Sequence, residues 1–171
     1  TDITTNFRAD TAEFSELHKL TSSTDQYHYT AHHFKTGYRN SANAIPGFNL
    51  VILDVDEGVS LNTAKLLLKG FKALFATTKS HTDSHNRFRI LLPLSHIVKL
   101  TPESYKAFME NIFEWLPFSV DTATKDISRK WEGYQGNYEY IDGELVDAML
   151  FIPQTKKAED LAKKVFDNQS L

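Results

Sequence analysis

The pattern of apolar and polar positions predicts three buried strands in the middle of the chain. Residues 48–55, with the sequence FNLVILDV, form a nearly continuous apolar run, which is typical of a strand buried on both faces. Residues 73–78 form a second short apolar run, and residues 87–94 form a third that alternates at its start. The polar residues 79–86 between the last two runs predict a loop.

Two amphipathic helices are predicted around these strands. Ser60 can cap the first helix, and Thr101 followed by Pro102 is a good start for the second. The apolar positions of each helix recur at helical spacing and therefore share one face. They are Leu61, Ala64, Leu67 and Leu68 in the first helix, and Tyr105, Phe108, Met109, Ile112, Phe113 and Leu116 in the second.

The two ends of the chain carry weaker patterns. Residues 14–20 have a short helical stripe, and the aromatic-rich residues 26–34 favour a strand. Residues 137–150 predict a hairpin with an Asp-Gly turn. Residues 155–171 predict a polar helix that frays.

The order of these elements predicts an α+β fold with a mostly antiparallel or mixed sheet. Strands and helices do not alternate regularly enough for a series of βαβ units. The chain has 171 residues, which is room for one domain of ordinary size. We expect residues 1–155 to form that domain, and residues 156–171 to be a C-terminal helix or the start of a linker.

The composition excludes several classes of site and of protein. There is no cysteine, which excludes disulfides, thiolate zinc sites and cysteine nucleophiles. No run approaches the ~18 apolar residues of a transmembrane helix, and the polar first residues predict no signal peptide, so a cytoplasmic protein without a membrane partner is expected. Lys plus Arg is 19 and Asp plus Glu is 22, a net charge of −3, which is not that of a generic basic nucleic-acid coat.

Two acidic residues at the end of the first buried strand are candidate metal ligands. Asp54 and Asp56 are two positions apart on a strand, so both carboxylates project to the same side. Side-by-side carboxylates repel unless a cation lies between them, and Mg²⁺ and Mn²⁺ prefer such oxygen ligands. Alternatively, the pair ends the strand in solvent and Gly58 makes the turn. Glu57 points to the opposite side.

A third acidic ligand would have to come from elsewhere in the chain. Asp121 follows apolar residues and is the candidate, although an Asp before Thr is often a cap or a turn residue. Asp126 is its competitor. We expect Asp54, Asp56 and Asp121 to converge in space.

The segment that enters the third strand is rich in cations. Arg87 and Arg89 are two positions apart on a strand and share a face, so they need anions, either phosphates or acidic side chains. With the donor Ser80, such a group suits a triphosphate. The alternative is that these cations are solvated or paired to the protein's own acids. If Arg89 is a surface cation, its replacement by Ala should leave the fold intact. The cationic side chains within residues 79–89 are Lys79, His81, His85, Arg87 and Arg89.

Other polar and aromatic residues carry weaker signals. His32 and His33 are adjacent and are expected to be exposed strand or cap residues. Arg39, in the loop before the first buried strand, is a candidate phosphate or template contact. Aromatic residues favour sheet packing over base stacking, although aromatic platforms do bind single strands. They are Tyr27, Tyr29, Phe34 and Tyr38.

Taken together, residues 36–131 resemble the archaeo-eukaryotic primase superfamily, in the primase-polymerase form of phages, plasmids and other mobile elements. Three ordered motifs carry the resemblance: LDVD at 53–56, Lys79-Ser80-His81 leading into residues 87–94, and Val120-Asp121. A loop like GYRN before the first motif and a segment like DISRKW after the third, which contains Arg129, are also shared. One departure is that many members place the motif histidine on the strand itself.

The resemblance implies a core related to the RNA-recognition fold, with helices and a small second module packed against it. It implies a DNA primase or DNA polymerase that uses nucleoside triphosphates, a single-stranded DNA template and Mg²⁺ or Mn²⁺. Such domains often precede a helicase in a replication protein, and a viral member would act in the host cytoplasm. Asp54, Asp56 and Asp121 would hold the metal ions. The residues expected near the phosphates are His81 first, His85 second, then Lys79, Ser80, Arg87 and Arg89, with Arg39 and Arg129 as phosphate or template contacts.

Two other functions compete with this interpretation. LVILDVDEG also fits a haloacid-dehalogenase-like phosphatase in which Asp54 is the nucleophile. That family, however, has Gly directly after the second Asp, where this chain has Glu57, and it needs a later acidic pair. The second alternative is a non-catalytic nucleic-acid-binding module, against which the three ordered acids argue.

Overall fold

The computed structural model describes residues 3–24 and 26–169. Its α-helices and β-strands are numbered here in chain order. The helices are α1 (His18–Thr21), α2 (Leu61–Leu67), α3 (Pro102–Trp115) and α4 (Pro153–Gln169). The strands are β1 (His28–Tyr29), β2 (His33–Phe34), β3 (Ala44–Ile45), β4 (Phe48–Val55), β5 (Gly70–Phe71), β6 (Ala73–Thr77), β7 (Phe88–Val98), β8 (Trp131–Glu132), β9 (Tyr138–Ile141) and β10 (Gly143–Glu144).

A four-stranded antiparallel sheet forms the centre of the fold, in the order β4-β7-β6-β9. Three two-stranded sheets surround it: β1 with β8 and β2 with β3 are antiparallel, and β5 with β10 is parallel. The α+β class with a mixed or antiparallel sheet is therefore confirmed. In the central register Asp54 of β4 lies directly opposite Arg89 of β7.

The central sheet is covered on both faces, which explains the continuous apolar run of β4. Its odd-numbered apolar residues, such as Leu53, pack with α2 and α3 in the larger core. Ile52 faces the other way and packs with Leu17, Tyr29 and Trp131 in a smaller cluster. Asp54 has the same parity as Ile52, so its carboxylate lies on the side of the smaller cluster.

The two helices over the larger core begin where the sequence predicts. The Ser60 hydroxyl accepts a hydrogen bond from the Thr63 amide at 3.1 Å, and that of Thr101 accepts one from the Ser104 amide at 3.2 Å. The predicted apolar face of α2 is wrong at one position, because Leu67 is exposed. The helix ends at Leu67, and the following residue, Leu68, enters the core.

Two strand predictions are wrong. The single strand expected at residues 26–34 is two short strands, because β1 and β2 pair with different partners. The hairpin expected at residues 137–150 is not formed, since β9 pairs with β6 while β10 pairs with β5. Gly143 lies so close to the Gly70 backbone that an added Cβ would overlap it, which fixes this parallel contact. Within the described residues, no helix is long and apolar enough to cross a membrane.

His32 is a core residue, which corrects the expectation of an exposed histidine. It is 2% exposed and packs between the rings of Phe48 and Tyr105, with both ring centroids at 4.9 Å. Neither ring nitrogen has a hydrogen-bond partner. Burial, assisted by the neighbouring charge of His33, lowers the pKa of His32 from 6.5 to about 4. His33 itself is exposed.

We predict that the free energy of unfolding falls as the pH is lowered from about 6.5 towards 4, because of His32. In this window the unfolded histidine takes up a proton and the folded one does not, so the unfolded state is favoured, by ~3 kcal/mol when the shift is complete. Urea unfolding at several pH values measures this slope. His32→Leu should remove the contribution of His32 to this pH dependence of the unfolding free energy, whereas His33→Gln should retain most of that pH dependence. A His32→Leu variant with the wild-type slope would contradict the assignment.

Candidate functional site

Asp54 is held at the end of β4 by a cross-strand ion pair. Its Oδ1 accepts a hydrogen bond from Nε of Arg89, directly opposite on β7, at 3.0 Å. Both side chains are largely buried, which makes the pair stronger than a surface pair but costly to desolvate. The carboxylate of Asp54 is therefore fixed in direction before any ligand arrives.

Arg89 is largely buried and pairs with Asp54, so it is not a surface cation. Its side chain is 16% exposed. Besides Asp54, its Nη1 donates to the Tyr29 hydroxyl at 3.2 Å and to the main-chain carbonyl of Glu132. Burial raises the pKa of Tyr29, so this hydroxyl stays protonated at neutral pH. Of the two alternatives for Arg89, pairing with the protein's own acid is the one observed.

Asp121 lies beside Asp54, although the two residues are far apart in sequence. The Asp121 amide donates to the Asp54 carbonyl at 2.9 Å. One nitrogen of Arg129, Nη2, lies 3.8 Å from Asp54 Oδ2 and 3.7 Å from Asp121 Oδ2. The Oδ2 atoms of Asp54 and Asp121 can therefore be no farther apart than the sum of these two distances, so the two carboxylates lie close together. The other Asp121 oxygen, Oδ1, accepts from the Ala123 amide at 2.9 Å and caps the 3-10 helix Thr122–Lys125.

Asp56 lies one residue beyond the end of β4 and is exposed, as is Glu57. Its charge is close enough to influence Asp54. Burial raises the pKa of Asp54, and Asp56 adds to that rise, whereas Arg89 and Arg129 oppose it. Asp126, the competitor of Asp121, uses its Oδ1 to accept from the amide and the hydroxyl of Ser128 and so closes a local turn.

The cationic loop between β6 and β7, residues 78–87, forms hydrogen bonds with the segment between β4 and α2 and with the start of α2. Nε2 of His85 donates to the Asp56 carbonyl at 2.7 Å, and Oδ1 of Asn86 accepts from the Leu61 amide at 2.8 Å. His81 Nδ1 accepts from the Arg87 amide at 3.0 Å, so the proton of its neutral ring is on Nε2. Lys79 and Ser80 are exposed, and Arg87 is half-buried.

A cavity of about 430 Å³ opens beside Asp54, on the side of Arg129. The cationic loop does not line it, so Arg89 is the only residue of the cationic stretch at this cavity within the described part of the chain. Arg39, expected to contact phosphate or template, is buried at its wall. Its guanidinium donates to the carbonyls of Ile3 and Ser128, at 3.0 and 2.7 Å.

The acids suit a hard divalent cation by donor type. Carboxylate oxygens are the ligands that Mg²⁺ and Mn²⁺ prefer, and Asp54 and Asp121 already share a positive group. In residues 3–24 and 26–169, no three acidic or histidine side chains are close enough to hold one ion. The guanidinium of Arg129 approaches both of these carboxylates, whereas Asp56 is exposed on the turn after β4. Asp54 and Asp121 therefore fit a divalent cation by donor type as two of its ligands, and the expected convergence of all three aspartates is not observed among the described residues.

The four aromatic residues divide into two pairs. Tyr29 and Phe34 are buried and pack inside the fold. Tyr38 is exposed, and Tyr27 is 68% exposed at a groove of about 680 Å³ between the N-terminal segment and residues 26–33. Sheet packing therefore accounts for one pair and leaves the other accessible.

Sequence reasoning missed two residues that shape the site. The Tyr29 hydroxyl fixes Arg89, whereas the sequence suggested only sheet packing or base stacking for this ring. Asn86 ties the cationic loop to α2, and it also donates to the carbonyls of Thr82 and Asp83. An Asn at the end of a polar loop is a typical turn residue and gave no hint of that long-range bond.

Comparison with known proteins gives one structural similarity. No protein-family model and no curated protein sequence matches the chain. The structure is similar to that of the AEP domain of the cyanophage S-2L primase-polymerase (PrimPol), with 15% sequence identity and a TM-score of 0.41. The alignment covers 68% of this chain and 66% of that domain, just under two thirds of its length.

Removing Arg89 should destabilise the fold, contrary to the expectation for a surface cation. Arg89→Met leaves the Asp54 carboxylate buried without its hydrogen-bonded partner, a loss of about 3–5 kcal/mol in the free energy of unfolding. The double variant Arg89→Met, Asp54→Asn should recover much of that loss. Lys125→Met is the control, because its pair with Glu110 is largely exposed and should cost less than ~1 kcal/mol. Equal losses for the two single variants, measured by denaturant unfolding, would contradict this account.

Proposed function

We propose that this chain is a template-dependent nucleotidyltransferase, a DNA primase or DNA polymerase of the archaeo-eukaryotic primase kind. One observation carries the proposal: Asp54 and Asp121 converge on a single cationic nitrogen at the end of a buried strand. Each comes from one of the ordered motifs that the sequence singles out. Two such carboxylates would otherwise repel, and a divalent cation is the usual reason to bring them together.

In this proposal Asp54, Asp56 and Asp121 hold two Mg²⁺ or Mn²⁺ ions. When bound, these ions would lower the pKa of the attacking 3′-hydroxyl and neutralise charge on the leaving pyrophosphate. The protein's own part is to fix the direction of its carboxylates. Arg89 does so for Asp54, while the amide of Ala123 does so for Asp121.

The loop between β6 and β7 would bind the triphosphate. His81 supports this role because its Nδ1 is satisfied by a backbone amide, which leaves Nε2–H as a donor. His85 lies against the Asp56 carbonyl and so ties the loop to the acids. Lys79, Ser80 and Arg87 would contribute further donors and charge, which stabilise developing negative charge on the phosphates. Arg89 acts here as a positioning residue for Asp54.

The template would be a single-stranded DNA, with Tyr27 and Tyr38 as accessible rings for base stacking. Arg129 and Lys130 line the cavity beside Asp54 and would attract phosphate. Arg39 would act indirectly, because its guanidinium already holds the backbone at the cavity wall. A helicase domain or partner, a phage or plasmid origin and action in the cytoplasm belong to the same proposal.

The observed geometry disfavours the phosphatase alternative. The central sheet is antiparallel throughout, whereas the regular βαβ units of that phosphatase family would produce a parallel sheet.

The decisive experiment is primer extension on a single-stranded DNA template with Mg²⁺ or Mn²⁺. We expect template-dependent incorporation that stops on chelation of the metal. Asp54→Asn and Asp121→Asn should each lower incorporation by more than about a hundredfold. Replacing a residue that only orients a metal ligand already costs about ten- to a hundredfold in metal affinity or activity, and these two residues are proposed as ligands themselves. Asn at position 121 can still cap the 3-10 helix, so the loss would report the missing charge.

The matched control is Asp126→Asn, five residues from Asp121. Its carboxylate serves a local turn that an amide oxygen can also accept, so incorporation should stay near wild type. Release of inorganic phosphate from small phosphomonoesters without any template, with Asp121→Asn fully active, would instead support the phosphatase. Wild-type protein that is inert in both assays would contradict the proposed function.

A further inference from the structure

Three arginines line one cavity with Asp54, and one of them is held much more loosely than the others. Arg39 and Arg89 each donate hydrogen bonds of ordinary length from their guanidinium groups. Arg129 instead approaches Asp54 and Asp121 at 3.8 and 3.7 Å, beyond hydrogen-bond length. Its Nε is buried without a hydrogen-bond partner, although its side chain is 37% exposed. A fixed structural arginine would satisfy that nitrogen.

We propose that Arg129 is an exchangeable counter-cation, which keeps Asp54 and Asp121 together in the metal-free protein and turns to an anionic ligand once metal binds. This inference rests on the proposed function, because it takes Asp54 and Asp121 as the metal ligands. It assigns Arg129 a positioning role that differs from a simple template contact.

The first half of the proposal follows from the charges at the site. Asp54 and Asp121 bring two carboxylates to the same nitrogen of Arg129, and Arg89 hydrogen-bonds only Asp54. Without another cation, the carboxylates of Asp54 and Asp121 would repel each other. Arg129 supplies that charge from between them. Because a divalent cation needs the same oxygens, Arg129 and the metal compete.

The second half follows from where Arg129 lies. Its side chain lines the 430 Å³ cavity, together with Lys130, Arg39 and Arg89. A guanidinium released from the carboxylates would find there a basic wall suited to phosphate oxygens, which it can bind with two parallel hydrogen bonds. The loose contacts and the unpartnered Nε mean that little is lost when it turns.

The first test is Mn²⁺ binding without nucleotide or DNA, by calorimetry or by the paramagnetic resonance of free Mn²⁺. Arg129→Gln should bind Mn²⁺ about tenfold more tightly than wild type, because a competing positive charge at ~4 Å is gone. Lys130→Gln is the control. It removes the same charge from the neighbouring residue, which forms no ion pair with Asp54 or Asp121 in the described part of the chain, and should change Mn²⁺ affinity by no more than about twofold. Equal effects of the two variants would overturn the proposal.

The second test is nucleoside triphosphate binding in the presence of saturating Mn²⁺. Here Arg129→Gln should weaken binding severalfold, the opposite direction to its effect on the metal. A purely structural arginine would weaken both affinities when removed, and that result would overturn the proposal. Arg129→Lys keeps the charge, so its Mn²⁺ affinity should stay near wild type, and this variant also serves if Arg129→Gln does not fold. A Lys variant that tightened Mn²⁺ binding tenfold would likewise contradict the charge competition.

These readouts separate this inference from the proposed function. If wild type extends primers but Arg129→Gln binds Mn²⁺ no more tightly than Lys130→Gln, the counter-cation role is wrong and the function stands. If Arg129→Gln tightens Mn²⁺ binding in a protein that incorporates no nucleotide, the counter-cation role is supported and the polymerase function is wrong.

Discussion

The site depends on one interaction, the ion pair between Asp54 and Arg89 across β4 and β7. It joins the two longest strands of the central sheet at the point where the first of them ends. Because the pair is largely buried, its direction is set by the sheet and not by solvent. Arg89 also links the acid to the small sheet of β1 and β8 through Tyr29 and Glu132. Asp121 is then fixed relative to Asp54 by a main-chain bond, so two motifs far apart in sequence meet at one place.

The central strands and the two long helices were predictable because their signals are local. A continuous apolar run such as β4 and a capped amphipathic helix such as α3 need no knowledge of their partners. The short strands were not predictable, since two residues pair only where the rest of the fold brings a partner. β1 and β10 are of this kind, and both the single strand over residues 26–34 and the hairpin were wrong for that reason.

The proximity of Asp54 and Asp121 was easier to predict than the surroundings of the arginines. Both aspartates follow apolar residues in the sequence, whereas an arginine serves equally as ligand, surface charge or buried partner. Arg39 and Arg89 proved to be largely buried partners. Arg39 donates to two main-chain carbonyls and Arg89 to one, besides Asp54 and Tyr29, and main-chain acceptors cannot be identified from a sequence. His32 was misjudged because its adjacent residues, Ala31 and His33, give no sign of burial, and the rings that enclose it come from distant elements.

The small sheet over the site has a consequence for its rigidity. β1 and β8 are two residues long and pair with each other, so they can separate without breaking any hydrogen bond of the central sheet. Such a separation would take from Arg89 both the Tyr29 hydroxyl and the Glu132 carbonyl, and would leave it with Asp54 alone. Because Tyr29 and Trp131 of this small sheet are buried in the smaller cluster, such a separation would also open that cluster, and this ties the order of the acidic site to the packing of the cluster.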